Sequence, residues 1–446
     1  MPDPTIVFNF DTGSDTQASG APANMPPIFG NNASWTSGTD TFDLSADNPD
    51  LTNVPTDGTA VIWFESASGR NVAQIIGKNN TLKTVTVPPG NYPNTTGTGR
   101  WAIGGKRKSF DDAQSRRLIE YSFWTVYSET DQIIGNTINI NINKYDTWFG
   151  GPPNGNITIT LTNDVNAINV ETISTAYGLV RNVTLKCIAP TKTNCIAVRC
   201  AIRRGVTLHN VTIGPDPSSG FWKGAMFSGS GYFSNVAICH CIDHAIHQET
   251  TDSLVLHDCV CANNGNHAIM TIPYASQIIR NSMIAFNNGH GAFLYTSGSH
   301  IMDNVFYGNA QSGMYVDATP YTLQILNNIF AANGRYGVEL KNPYNPYGHS
   351  DTKNGHNCYW NNASGARLNF PAFPGDLLVD PQFKDPANLD FTVGPNLKAM
   401  GWPPSTRGIG HDQSNTRNYS YIGPAQPKQR PVPQRPVLVG VPDNAY

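Results

Sequence analysis

Short alternations of apolar and polar residues return through the middle of the chain about every two dozen positions. The same strand start is met as His244-Ala245-Ile246-His247, His267-Ala268-Ile269-Met270, Gly291-Ala292-Phe293-Leu294, Gly313-Met314-Tyr315-Val316 and Gly337-Val338-Glu339-Leu340. Successive starts lie 23, 24, 22 and 24 residues apart. Four residues ahead of them stand Asn263, Asn287, Asn309 and Asn333; nine residues ahead stand small polar side chains, Asn235, Asp258, Ser282, Asn304 and Asn328. A period of this size is the signature of a solenoid, whose residues must be read by column rather than by neighbour.

The same reading divides the rest of the chain. Residues 1–32, rich in Pro, Gly, Ala, Asn and Thr, read as an extended arm. Residues 33–108 hold β-favouring runs such as Val61-Ile62-Trp63-Phe64 and Thr84-Val85-Thr86-Val87, cut by Asp57-Gly58 and Pro89-Gly90, and predict a small β domain. Over 109–135, the spacing of Leu118, Ile119, Phe123 and Trp124 predicts a helix from Ser109 to Tyr127 that caps the solenoid. Period-two runs at Ile138–Ile142 and Ile157–Thr160 open a solenoid over 136–400 of about eleven coils, roughly 50 Å of stack at one strand per coil. The Pro-rich tail, 401–446, reads as extended.

With these columns in view, the repeat resembles the right-handed parallel β-helix of the pectate-lyase-like superfamily, whose coils of this length carry three strands and an Asn at a turn. Val379-Asp380-Pro381-Gln382-Phe383 with Asp390-Phe391-Thr392-Val393 resembles the way many bacterial and phage β-helix chains end. Trp101–Arg107 is similar to a small domain that precedes such helices in phage and environmental sequences. The resemblance implies an all-β, right-handed parallel β-helix of the virion and tail-spike kind. It says little of function, because that superfamily hosts lyases, hydrolases, adhesins and inert virion parts alike.

Side chains alternate along a strand, so each column faces either the core or the solvent. Counting from the strand starts puts Ala245, Ala268, Ala292, Met314 and Val338 inside, followed by His247, Met270, Leu294, Val316 and Leu340. His247 is the odd member of that second set. Ile246, Ile269, Phe293 and Tyr315 then face outward, with Tyr295 two residues beyond Phe293. An exposed apolar column calls for a partner: a homotrimer interface, or a glycan platform using Phe293, Tyr295 and Tyr315. Asp317 and Glu339 lie one coil and two residues apart, a diagonal of about 8 Å that falls within the separation used by inverting glycosidases. Lys341, beside Asp317, would serve as a lyase base only with a depressed pKa; otherwise the two form a plain ion pair.

Composition narrows the functions. Charged residues are 14% of the chain and its net charge is −3, which gives no footprint for nucleic acid; Lys106-Arg107-Lys108 is a short local run. No stretch is long and apolar enough for a membrane helix, and no secretory signal is visible at Met1-Pro2-Asp3-Pro4. All eight cysteines fall between Cys187 and Cys358; Cys239, Cys241, Cys259 and Cys261 fit stacked core thiols better than the ligand spacing of a zinc site. His240, His244, His247, His257 and His267 read as stacked turn residues, so no metal and no cofactor is expected. The expectation is a bacteriophage virion structural or attachment protein, a trimeric spike or capsid decoration. Such a protein would assemble in the host cytoplasm and bind other virion proteins of capsid or tail, or host surface polysaccharide. The rivals are a polysaccharide-degrading enzyme (tail-spike depolymerase, glycoside hydrolase or lyase) acting through Asp317, Glu339 or Lys341, and a bacterial surface adhesin.

Overall fold

The computed structural model describes Thr5–Phe8 and most of residues 28–103 and 123–397. The basic run Lys106–Lys108, most of the expected capping helix and the tail 401–446 lie outside the described residues. The end of the expected helix does not: Phe123–Ser128 is a β-strand, paired in parallel with Asp146–Gly150 and with Thr5–Phe8. Phe123, Trp124 and Val126 are aromatic or β-branched, which favours the extended chain once a neighbouring coil offers backbone partners.

Residues 28–103 form a seven-stranded sheet whose described pairings are antiparallel, so this unit begins inside the stretch read as an arm. Its core gathers Trp35, Phe42, Phe64 and Trp101; Trp35, Phe42 and Phe64 have ring centroids 4.6–5.8 Å apart. The Trp101 indole N–H is satisfied by Asp47 at 2.8 Å.

The remainder is a right-handed parallel β-helix. One wall is a ten-stranded parallel sheet running from Ile138–Ile142 to Gly365–Leu368, here the front sheet. Ten strands stand where about eleven coils were expected. Six of them, from Lys223–Phe227 to Tyr336–Leu340, belong to the regular repeats, and the last, Gly365–Leu368, follows after a longer connection. The second and third walls meet at a bend. Early coils pass it within one long strand, such as Val206–Ile213 or Gly231–Cys239; later coils break there. Asn182, Asn210, Asn235, Asp258, Asn281, Asp303 and Asn327 occupy the bend, all with φ between 51° and 58°. Asn and Asp tolerate this left-handed conformation because their short polar side chains bond locally.

Two internal ladders of side-chain amides hold the coils in register. In the first, Asn264, Asn287, Asn309, Asn333 and Asn362 are linked amide to amide at 2.8–3.0 Å. The ladder thus runs through Asn264 rather than Asn263, which instead takes a left-handed turn with φ +58°. Asn309 shows the full pattern. Its Oδ1 accepts from the Asn287 backbone N–H and Nδ2; its own Nδ2 donates to Ile284 O and Asn333 Oδ1. The second ladder is Ser282, Asn304, Asn328, Asn357 and Asp376. Between the ladders the lumen is apolar. Phe306, Phe330 and Tyr359 stack at 4.9 and 5.4 Å, and six of the eight cysteines lie in this core as free thiols.

The outer surface of the third wall is covered in turn. Ala285, Val305, Ile329, Ala331 and Cys358 meet Phe391 and Leu397, with Val379, Phe383 and Val393 packed alongside. Asn309→Ala should remove four buried hydrogen bonds and strand the Asn287 N–H and Ile284 carbonyl. A loss of about 3 kcal/mol is expected in chemical denaturation, while Asn263→Gly should be close to neutral because only its backbone conformation is needed.

Candidate functional site

The front sheet carries three outward columns. The register Met226–His247–Met270–Phe293–Tyr315–Glu339 runs straight up its middle. The coil-to-coil backbone bonds set Lys223, His244, His267, His290, Ser312 and Tyr336 one above another at the turn entering each strand. Beyond each strand's end, Asp317 and Lys341 follow Tyr295. Thus each coil presents a small row: His290, Phe293 and Tyr295 on one, Ser312, Tyr315 and Asp317 on the next.

This register corrects the expected faces. Ile246 and Ile269 are fully buried and line the lumen, in line with Ala292 and Met314. His247 and Met270 point outward in their place. The strand at Ile269 pairs with Ala292, not with Phe293, so the starts at 267 and 291 are out of step by one residue. A slip of one moves every side chain to the opposite face. The supposed exposed column therefore keeps only its later members, Phe293 and Tyr315, with Tyr295 beside them, all half-buried.

Around these three rings the turn column forms a continuous lane. His244 and His267 stack at 5.2 Å and His267 and His290 at 5.2 Å. His267 lies 5.0 Å from Phe293, His290 lies 4.9 Å from Tyr315, and Phe293 lies 4.9 Å from Tyr315 and 5.1 Å from Tyr295. The His290 backbone N–H donates to His267 Nδ1 at 2.9 Å, and the Ser312 N–H donates to His290 Nδ1 at 3.1 Å. Each ring's Nδ1 is thereby an acceptor, which leaves its Nε2 as the protonated nitrogen. Burial drives the imidazoles toward the neutral form, pushing His244 and His267 down to about 4 and His290 to about 3; the like charge of neighbouring histidines adds to this at His244 and His290.

Charged groups flank the lane and are paired. At one end the buried Lys223 ammonium donates to His247 Nδ1 at 2.8 Å, sits 3.6 Å from Asp243 and lies over the Trp222 ring. His247 is shifted downward by burial and then by Lys223. At the other end Lys341 meets Asp317 at 2.5 Å, as the sequence spacing implied. This hydrogen bond, with the carboxylate charge, raises the Lys341 pKa, opposite to what a lyase base needs. Glu339 is buried, held by Arg335 at 2.8 Å and by the Ser312 hydroxyl. Each carboxylate of the supposed glycosidase pair is therefore committed to a cation on its own side. Among the described residues no group of three or more His, Cys, Asp or Glu side chains is placed to hold a metal ion. Sequence reasoning missed Lys223, Asp243 and His290 as members of this face. Their signal, a polar residue recurring at 23, 23 and 22 residues through His244, His267, His290 and Ser312, is visible only once the register is right.

Comparison with known proteins bears on the fold. Residues 223–370 match the family model described as a right handed beta helix region. The middle of the chain is such a region. No curated protein matches the chain. Among solved structures, it is similar to the A-module of the mannuronan C-5 epimerase of Azotobacter vinelandii, at 17% identity and TM-score 0.29, over 57% of this chain and 67% of that one. It is also similar to the tailspike protein of Pseudomonas phage LKA1, at 10% identity and TM-score 0.16, over 81% of this chain and 64% of that one.

The buried histidines make acid sensitivity a property of this face. In the unfolded chain they titrate near 6.5, so below that pH the unfolded state takes up protons that the folded state refuses. Stability should be complete above about pH 7 and fall as pH drops toward 4, by about 2 kcal/mol for each of His267 and His290 at pH 5. Denaturant titrations at pH 7 and pH 5 should give a smaller difference for the His267→Gln/His290→Gln variant than for the parent chain. An unchanged difference would mean that these rings are not the groups responsible.

Proposed function

We propose that the front sheet holds a polysaccharide and that the protein is an attachment component of a virion. The observation that carries this reading is the lane of rings from His267 through His290 and Phe293 to Tyr315 and Tyr295. The rings stack on one another from coil to coil and so turn their edges outward: ring C–H edges offer apolar contact to sugars, while the histidine Nε2–H and tyrosine hydroxyls supply hydrogen bonds. Successive coils repeat the set every ~4.8 Å, so neighbouring sugars of one chain meet neighbouring rows. The flanking ion pairs support holding rather than cleaving: no unpaired carboxylate faces the lane beside a second one, and Lys341 is kept protonated by Asp317.

The wider setting belongs to the same proposal. Eight free thiols suit assembly in a reducing cytoplasm, and the Pro-rich ends suit docking onto other virion proteins. A homotrimer stays within the proposal, but Ile246 and Ile269 lend it no exposed surface, and Phe293, Tyr295 and Tyr315 now serve the glycan.

Binding to bacterial surface polysaccharides, followed by affinity electrophoresis or calorimetry, tests the reading. Phe293→Ala and Tyr315→Ala should each weaken binding about tenfold or more, as loss of an aromatic anchor does. Asp317→Ala should leave the polysaccharide uncut, as the parent does. Release of reducing ends or unsaturated products by the parent protein would overturn the holding-only reading.

A further inference from the structure

The charge arrangement of the front sheet narrows the kind of glycan. This step rests on the proposal that the face binds polysaccharide. An acidic chain presents a carboxylate on some or all of its sugars, and each needs a cation or a cluster of donors to replace its water. The described residues around the lane offer three cations, Lys223, Arg335 and Lys341, and each already meets a carboxylate, Asp243, Glu339 and Asp317 respectively. A further carboxylate, Glu249, lies on the coil beside Lys223 and accepts the Ser228 hydroxyl at 3.2 Å. The local balance therefore shows no surplus of positive charge, so nothing in it draws in a polyanion.

The histidines do not change that balance. Their Nδ1 atoms at His267 and His290 are occupied by backbone N–H groups, and protonation would have to occur on rings shielded from water. Arg199, outward and exposed, stands in register below Met226 and four coils from Phe293. That is about 19 Å of stack, well beyond the roughly 8 Å over which a solvated charge is felt at physiological salt. In the sequence, the stretches that follow the strands bearing Met270, Phe293 and Tyr315, residues 272–276, 296–298 and 318–321, contain no Lys, Arg, Asp or Glu.

We infer that the lane selects an uncharged polysaccharide, one whose sugars bring hydroxyl or acetamido groups and apolar faces but no carboxylate, sulfate or phosphate. The fixed Nε2–H donors read hydroxyl or carbonyl oxygens, and the outward edges of Phe293 and Tyr315 give apolar contact to the sugars. The paired charges at either end bound the site without neutralising a ligand.

Carboxyl reduction provides a direct test, because it converts uronic acids to neutral hexoses while keeping the linkages. A panel of bacterial capsular and O-antigen polysaccharides would be offered to the full-length protein, each acidic member also in its carboxyl-reduced form, at low and at physiological salt. Retention of neutral or carboxyl-reduced chains, little changed by salt and weakened tenfold or more by Phe293→Ala, is the expected result. Preference for an acidic chain, lost on carboxyl reduction and weakened by salt, would overturn this inference and leave glycan binding itself intact. Retention of no chain of either kind would sink the binding proposal and this inference together.

Discussion

Register between successive coils is the constraint on which both the core and the outer face depend. A parallel sheet alone fixes register weakly, since its backbone bonds are evenly spaced and a strand two or three residues long makes few of them. Here the strands Ile246–Gln248, Ile269–Met270 and Ala292–Leu294 are of that length. The two amide ladders supply what the strands lack. Asn309 accepts from Asn287 one coil below, donates to Asn333 one coil above and donates to the Ile284 carbonyl of the preceding coil, and a slip of one residue would leave these groups buried without partners. The same ladder that stacks Ala292 on Ile269 therefore places Phe293 above Met270 and below Tyr315.

The period, the solenoid, the interior Asn column and the Asp317–Lys341 pair were legible in the sequence because each is repeated or local. The register at one step was not. Asn occurs as doublets at Asn263-Asn264, Asn287-Asn288 and Asn361-Asn362, so an alignment on Asn is free to choose either member. Gly291 and Gly313 made strand starts look aligned with His267, although the turn column continues through His290 and Ser312. The inward Ile246 and Ile269 and the inward Ala292 differ greatly in size, which hides their shared column. His247 among supposed core residues was the trace of the slip. Lys223 and Asp243 were harder still: their contact joins residues 20 apart whose relation exists only after coiling.

The C-terminal segment whose sequence resembles the ends of other β-helix chains has a physical task that the resemblance did not specify. Phe383 and Phe391 pack edge to face at 5.0 Å and both meet Tyr307, at 5.7 and 5.3 Å, on the outside of the third wall. That wall's outward residues are apolar and mixed in size, Ala285 and Ala331 beside Val305, Ile329 and Tyr307, and the segment covers them. The front sheet is built the other way. Its outward residues are large rings that fill their own surface, and no described segment of the chain lies across Phe293 and Tyr315 in the manner of Phe383 and Phe391. Chain cover thus separates the two walls: Phe383 and Phe391 seal the third, while no described segment crosses the rings of the front sheet.

A stiff, repeating surface has a particular advantage for a long, flexible ligand. Each sugar contributes little, and a free polysaccharide loses conformational freedom at every unit that is held. Rings that must first be organised would add their own entropy to that loss. In this lane they are already fixed: His267 and His290 by backbone N–H donors, and Phe293 by its contacts with both of them and with Tyr315. On the proposed reading, a first seated sugar would deliver the next to the adjoining row at high effective concentration, so that modest contacts accumulate along the stack. Neutral contacts are well suited to this, because they do not weaken with salt as ion pairs do. The amide ladders inside the solenoid are in this sense what would make the outer face adequate to hold the proposed ligand.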